Sequence, residues 1–240
     1  MPILITLGLP ILLVYVLAAV LPAVFLLGYI YRHDTVEKEP IGLLLELLAL
    51  GVGSAWCASV LEAIGQRLLD AVMVPGSLGY TVLLAFVVVA LSEEGMKLFF
   101  LKRRTWNDPN FNYRFDGIVY AVFVSLGFAA YENIVYVFSS GLSTALLRAI
   151  SAVPAHMSFA VVMGVLYGRA RLMENRGELV AARLGRGLAL VCAVLLHGFY
   201  DACAMVGTGV SVMVFIVFVI TMFVGVYGLI KIESSTDSPV

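Results

Sequence analysis

The chain has 240 residues, of which 62% are hydrophobic and 13% charged, with a mean hydropathy of +1.02 and a formal net charge of -1. A soluble domain averages about half apolar and about a quarter charged residues, and its limited interior cannot hide this much apolar surface. The composition excludes an ordinary soluble enzyme, and the near-zero charge gives no sign of nucleic-acid binding; the lipid bilayer is the natural partner.

A helical span needs about 20 mostly apolar residues. Seven stretches qualify, at roughly 3–31, 41–66, 78–101, 116–139, 145–170, 187–207 and 210–230. The first follows Met1-Pro2-Ile3-Leu4, has no positive flank and is too long for a signal-peptide core, so it reads as a retained span. Pro10 and Pro22 predict a kink within it. Gly207-Thr208-Gly209 is all that separates the last two, which requires a tight turn. The expected architecture is an all-α polytopic membrane protein forming a single integral membrane domain over 1–232, with a catalytic core at about 78–207. Ser234 to Pro239 is polar, and 233–240 reads as a disordered tail.

Charge placement fixes an expected orientation. Twelve basic residues (Arg32, Lys38, Lys102, Arg103, Arg104, Arg114, Arg169, Arg171, Arg176, Arg183, Arg186 and Lys231) fall on one side of a seven-span arrangement, and only Arg67 and Arg148 on the other. Positive charge concentrates in cytoplasmic loops, which places the N-terminus outside and the C-terminus in the cytoplasm of a prokaryotic cell membrane. Cys57, Cys192 and Cys203 lie in apolar runs without metal-type spacing and read as small core residues.

The informative residues are the ionisable ones inside the spans: Glu93, Glu94 and Lys97 in the third, Glu132 in the fourth, His156 in the fifth, and His197 and Asp201 in the sixth. Each costs at least about 2.5–3.5 kcal/mol at a helix centre, so each needs a partner or a function. Lys97 is four residues from Glu93 and three from Glu94, so one helix face brings it to either. That pairing neutralises one carboxylate and leaves the other as a candidate general base. His197 and Asp201 are one turn apart, so the acid can orient the imidazole. His156 follows Pro154, whose ring is expected to open the helix toward a cavity. Glu132 has no charged neighbour on its own helix, so its partner must come from another span; Tyr131, Asn133 and Tyr136 could bond with it or serve as interhelical glue. At about 1.5 Å per residue, His156, His197, Asp201 and Glu132 fall within a layer of roughly 7 Å, with Glu93 and Glu94 one turn toward the cytoplasm.

Glu93-Glu94-x-x-Lys97, Phe128-x-x-x-Glu132, His156 and His197-x-x-x-Asp201, extended by Asp116-Gly117-x-x-Tyr120 and Gly127-Phe128-Ala129-x-x-Glu132-Asn133, resemble the PrsW family of intramembrane proteases over about residues 90–205. The resemblance implies hydrolysis of peptide bonds in a single-pass membrane-protein or peptide substrate, of the anti-sigma-factor type cleaved in stress signalling. It implies that Glu93 or Glu94 activates water, that His156 and His197 polarise the carbonyl, and that Lys97 and Asp201 support them, with Glu132 and Asn133 also in the site. In the related CAAX-type endopeptidases the second motif ends in His and the last in Asn; here those positions are Glu132 and Asp201. An ionised Asp cannot donate to an oxyanion. A metal reading therefore stands beside the metal-free one, with zinc held by three of Glu132, His156, His197 and Asp201 and with Glu93 or Glu94 as base. A membrane amidase or lipid hydrolase would use the same groups. A proton-coupled transporter is disfavoured by the lack of an internal repeat, and a purely structural subunit by the convergence of polar residues from four consecutive spans.

Overall fold

The computed structural model describes residues 8–240, so the start of the first predicted span, residues 3–7, lies outside the described residues. Helix α1 (Leu9–His33) is followed by α2 (Ile41–Val72). The third traversal begins as α3 (Leu78–Leu83), widens into a π-helical stretch (Leu84–Ala90) and continues as α4 (Leu91–Thr105). Then come α5 (Asp116–Ser140), the short α6 (Leu142–Ile150), α7 (Ala152–Asn175), α8 (Leu179–Val206) and α9 (Gly209–Ser235). The protein is all-α. Among the described residues, six stretches are long and apolar enough to cross a membrane as they stand, with α6 and α7 counted together. The third of the seven predicted spans is helical from 78 to 105 but is divided by the π turns and carries the charged residues of the site.

Proline positions differ from expectation. Pro10 sits in the first turn of α1, where a missing N–H costs nothing, and only Pro22 is interior. The break in the fifth span falls at Ser151 (φ -120°, ψ -76°), between α6 and α7, and not at Pro154. Pro154 is the third residue of α7, a position that has no intrahelical N–H bond to lose. The predicted turn at 207–209 is present: Gly207 takes the left-handed conformation (φ 63°) and the Thr208 hydroxyl caps α9 by accepting from Ser211 N at 3.1 Å.

Helix α5 is the central element, buried without interruption from 115 to 129. Glycines let its neighbours approach to backbone contact, the packing device of membrane helices. A Cβ on Gly51 of α2 would lie 2.1 Å from the Val124 carbonyl oxygen, and one on Gly127 would lie 2.3 Å from that of Leu48. On the other side Gly164 of α7 packs against Gly117 and Ile118 in the same way. The outward faces of α1, α2, α8 and α9 carry exposed Leu, Val, Ile and Phe side chains such as Phe25, Leu45, Leu184 and Val217, the surface a bilayer covers.

The residues read as a free tail are ordered against the start of α5. Helix α9 runs to Ser235, and Tyr113 then forms an antiparallel bridge with Pro239. Arg114 N donates to Ser238 O at 3.1 Å, Val240 N to Asn112 O at 2.9 Å and Phe115 N to the Asp237 carboxylate at 3.0 Å. The tail is polar because its backbone and carboxylate satisfy donors of the 112–115 loop, a role that composition alone does not reveal.

Candidate active site

The first turn of α4 supplies Glu93, Glu94 and, one turn on, Lys97. The π-helical stretch just before it seats Phe86 against Gly198 of α8, where a Cβ would come within 2.4 Å of the ring. Such wide turns recur at functional sites because they shift the register of the side chains beyond them. Helix α8 is thereby held close to α4 at the level of His197.

Lys97 is the centre of the cluster. Its Nζ donates to Glu94 Oε1 at 2.8 Å and to Glu93 Oε2 at 3.2 Å, lies 3.2 Å from His156 Nδ1, and sits 3.9 Å above the Phe128 ring. A lysine has no acceptor, so His156 Nδ1 must accept and Nε2 must carry the ring hydrogen. That hydrogen is donated to Glu132 Oε2, 3.0 Å away. Glu132 is in turn held by Arg148, whose Nη2 donates to the same oxygen at 2.6 Å and whose Nε donates to Asn133 Oδ1 at 3.1 Å. His197 lies between acids: Nδ1 is 2.9 Å from Glu94 Oε1, while Nε2 is 3.3 Å from Asp201 Oδ2 and 3.9 Å from Glu93 Oε2. The two imidazoles meet edge to face at 5.3 Å, and Phe159 stacks on His197 at 4.8 Å.

A cavity of ≈ 160 Å³ opens onto this cluster. Glu93, His156, His197, Asp201, Glu132 and Arg148 face it, whereas Glu94 and Lys97 are not among its lining residues. Glu94 is fully buried, engaged through Oε1 by Lys97 and His197. Asn133, grouped with the site from sequence, is buried to one side, where its amide donates to the Ala19 carbonyl of α1 at 2.9 Å and ties that helix to Arg148.

Two residues enter that sequence reasoning had not placed in the site. Arg148 reads as one of two sparse loop cations; it lies on α6, over the Tyr136 ring at 4.0 Å, and pairs with Glu132. The signal was available: Glu132 required a partner from another span, and Arg148 is the nearest cation in sequence. Glu62 of α2 also lines the cavity.

The donor set has the chemistry of a metal site. One ligand atom from each of Glu93, Glu94, His156 and His197 lies within 4.8 Å of the others. This is not the set expected from sequence, because Glu132 and Asp201 sit on the ring nitrogens turned away from the centre. The arrangement does not fit a zinc ion, whose ligands must each offer a lone pair. His156 Nδ1 is committed to Lys97, both nitrogens of His197 face carboxylates, and the Lys97 ammonium already provides the positive charge between the two glutamates.

Residues 39–227 match the PrsW family, described as "PrsW family intramembrane metalloprotease". The chain belongs to this family. It is 29% identical over 220 residues to Protease PrsW of Halalkalibacterium halodurans, covering 92% of this chain and 97% of that one. It is 30% identical over 218 residues to Protease PrsW of Bacillus subtilis, covering 91% and 94%. It is 33% identical over 186 residues to Protease PrsW of Oceanobacillus iheyensis, covering 77% and 80%. No solved structure matches. The chain is therefore an integral membrane protease of the PrsW family, related along almost its whole length to bacterial proteins, and its ionisable spans converge as one cluster.

Proposed function

We propose that this PrsW-family protease cleaves peptide bonds of single-pass membrane-protein substrates by a metal-free mechanism with Glu93 as general base. The observation that carries the assignment is the asymmetry of the glutamate pair. Glu93 faces the cavity opposite His156 and His197, while Glu94 is sealed behind it as the anchor of Lys97 and His197. A water between Glu93 and a scissile carbonyl gives its proton to Glu93 as its oxygen attacks the carbonyl carbon. His197, held by Glu94 and Asp201, is the donor that faces the cavity where an oxyanion develops. The proton returns from Glu93 to the departing amine as the C–N bond breaks, leaving a carboxylic acid, a free amine and the Glu93 carboxylate restored. Asp201 serves as the orienting acceptor for His197, which resolves the difficulty that an aspartate cannot itself donate to the oxyanion.

By family analogy the substrate is an anti-sigma-factor-like protein in a regulated proteolytic cascade. The test is reconstitution in proteoliposomes with single-span reporter proteins and mass spectrometry of the fragments. Cleavage within or beside the apolar segment that Glu93→Gln abolishes is expected; undiminished cleavage by that variant overturns the assignment.

A further inference from the structure

The catalytic cavity continues beyond its own walls. A second space of ≈ 200 Å³ lies between α2 and α5 and shares Glu62, Glu93, Glu132 and Tyr136 with the first. Its remaining walls include Ala55 and Ser59 of α2 and Phe128, Tyr131 and Val135 of α5. At one end it is closed by the backbone contacts at Gly51 and Gly127. Ala55 and Phe128 form a buried floor there, packed with Tyr131 and Met96. Toward the C-terminal ends of both helices it opens to the outer surface, where Ser59 and Val135 are exposed. Small side chains on α2 at 55 and 59 keep the slot from filling.

The geometry points to this slot between α2 and α5 as the lateral entry through which an unwound stretch of substrate passes from the bilayer to Glu93. The inference rests on the proteolytic reading above. A helix is about 10–12 Å across with its side chains and does not fit such a space, whereas a few extended residues do. Unwinding in hydrocarbon exposes backbone N–H groups that must find acceptors. The slot supplies them: the Glu62 carboxylate, which makes no hydrogen bond or ion pair with any other described residue, the Ser59 hydroxyl, which donates to Ala55 O and keeps its lone pairs free, and the hydroxyls of Tyr131 and Tyr136. The substrate class follows from the same physics. Segments whose helix is weakened by Gly or Pro near the scissile bond enter at lower cost than uniform Leu segments.

The test uses single-span reporters differing only in their apolar segment, half of them with a mid-span Gly-Pro pair. Ser59→Trp places an indole in the slot, and Cys57→Trp places the same bulk on an exposed position of α2 that does not line it. Ser59→Trp is expected to lower kcat/KM tenfold or more and Cys57→Trp less than twofold, with both variants unfolding thermally like the parent. Gly-Pro reporters are expected to be cleaved faster. A photoreactive residue at 59 or 135 in a Glu93→Gln background should capture the reporter, while one at the exposed Val217 of α9 should not. Parental cleavage by Ser59→Trp, or equal capture at 59 and 217, overturns the entry route and leaves the protease reading standing. A protein that cleaves none of the reporters overturns the protease reading, and the route with it.

Discussion

The Lys97 ammonium and His156 Nδ1 lie 3.2 Å apart, and this contact assigns the hydrogen of His156 to Nε2 and so to Glu132. Lysine, two glutamates, two histidines and their outer acids thus form one connected chain across α4, α5, α7 and α8.

The glutamates should separate when stability is read beside activity. Glu93→Gln should lower cleavage by about 10²–10⁴-fold, the range for loss of a general base, with a smaller loss of thermal stability in detergent, because its contact with Lys97 is the longer of the two and its carboxyl borders the cavity. Glu94→Gln should lose activity and also stability, because breaking a buried ion pair costs roughly 3–5 kcal/mol. Equal stability of the two variants would contradict the division of roles.

Chelation should leave the enzyme active. Protein dialysed against a strong chelator is expected to retain full cleavage of a reporter, to hold less than stoichiometric zinc by elemental analysis, and to gain nothing when zinc is added. Loss of activity on stripping and recovery with zinc would instead require Lys97 to leave the centre of the cluster.

Arg148 should behave as a positioning residue. Arg148→Met removes a charge-assisted hydrogen bond worth about 1.5–3 kcal/mol, roughly ten- to hundredfold in rate if fully felt in the transition state. Arg148→Lys should recover part of it, since a lysine can still donate to Glu132. A change confined to KM, or an equal loss in both variants, would argue against action through Glu132 and His156.

Outside the spans, Glu39 gives a pH signature in stability. Burial pushes its carboxyl up to about 7, aided by the nearby charges of Asp34 and Glu37, although it accepts from the Tyr120 hydroxyl at 2.7 Å. A raised carboxyl favours the protonated folded state, so stability should fall as pH rises from about 4.5 through about 7. Asp34, pushed up to about 6 by burial, adds in the same direction. The melting temperature in detergent should drop between pH 5 and pH 8, and Glu39→Gln, which keeps an acceptor for Tyr120, should shrink that drop.

The site was legible in sequence because each of its acids and imidazoles interrupts an apolar run, where a charge is costly enough to stand out. The Glu93–Glu94–Lys97 contacts follow from helical spacing alone. What could not be read was anything set by rotation about a helix axis. Glu93 and Glu94 are adjacent, and only packing against α8 shows which one meets the cavity. The third contact of Lys97 comes from α7, a partner that no spacing within α4 could have shown. Arg148 was hidden because α6 looks like a span edge, its break at Ser151 carrying no proline or glycine. The 233–240 segment misled by composition, since polar residues that pair with a loop look the same as polar residues that pair with water.

The π-helical stretch at 84–90 has a consequence for how this helix tolerates insertion and deletion. On its N-terminal side Tyr80 is docked to α2, its hydroxyl donating to Asp70 at 2.6 Å; on its C-terminal side Glu93 is aimed at the cavity. Tightening all seven residues into ordinary α turns would rotate one side against the other by about 100°, whereas removing one residue as the turns tighten would keep the two sides in phase. In the first case Tyr80 and Glu93 could no longer both face their partners. The wide turns absorb one residue between an anchoring register and a catalytic one, and a chain that tightened them without losing a residue would have to give up either the grip on α2 or the aim of its base.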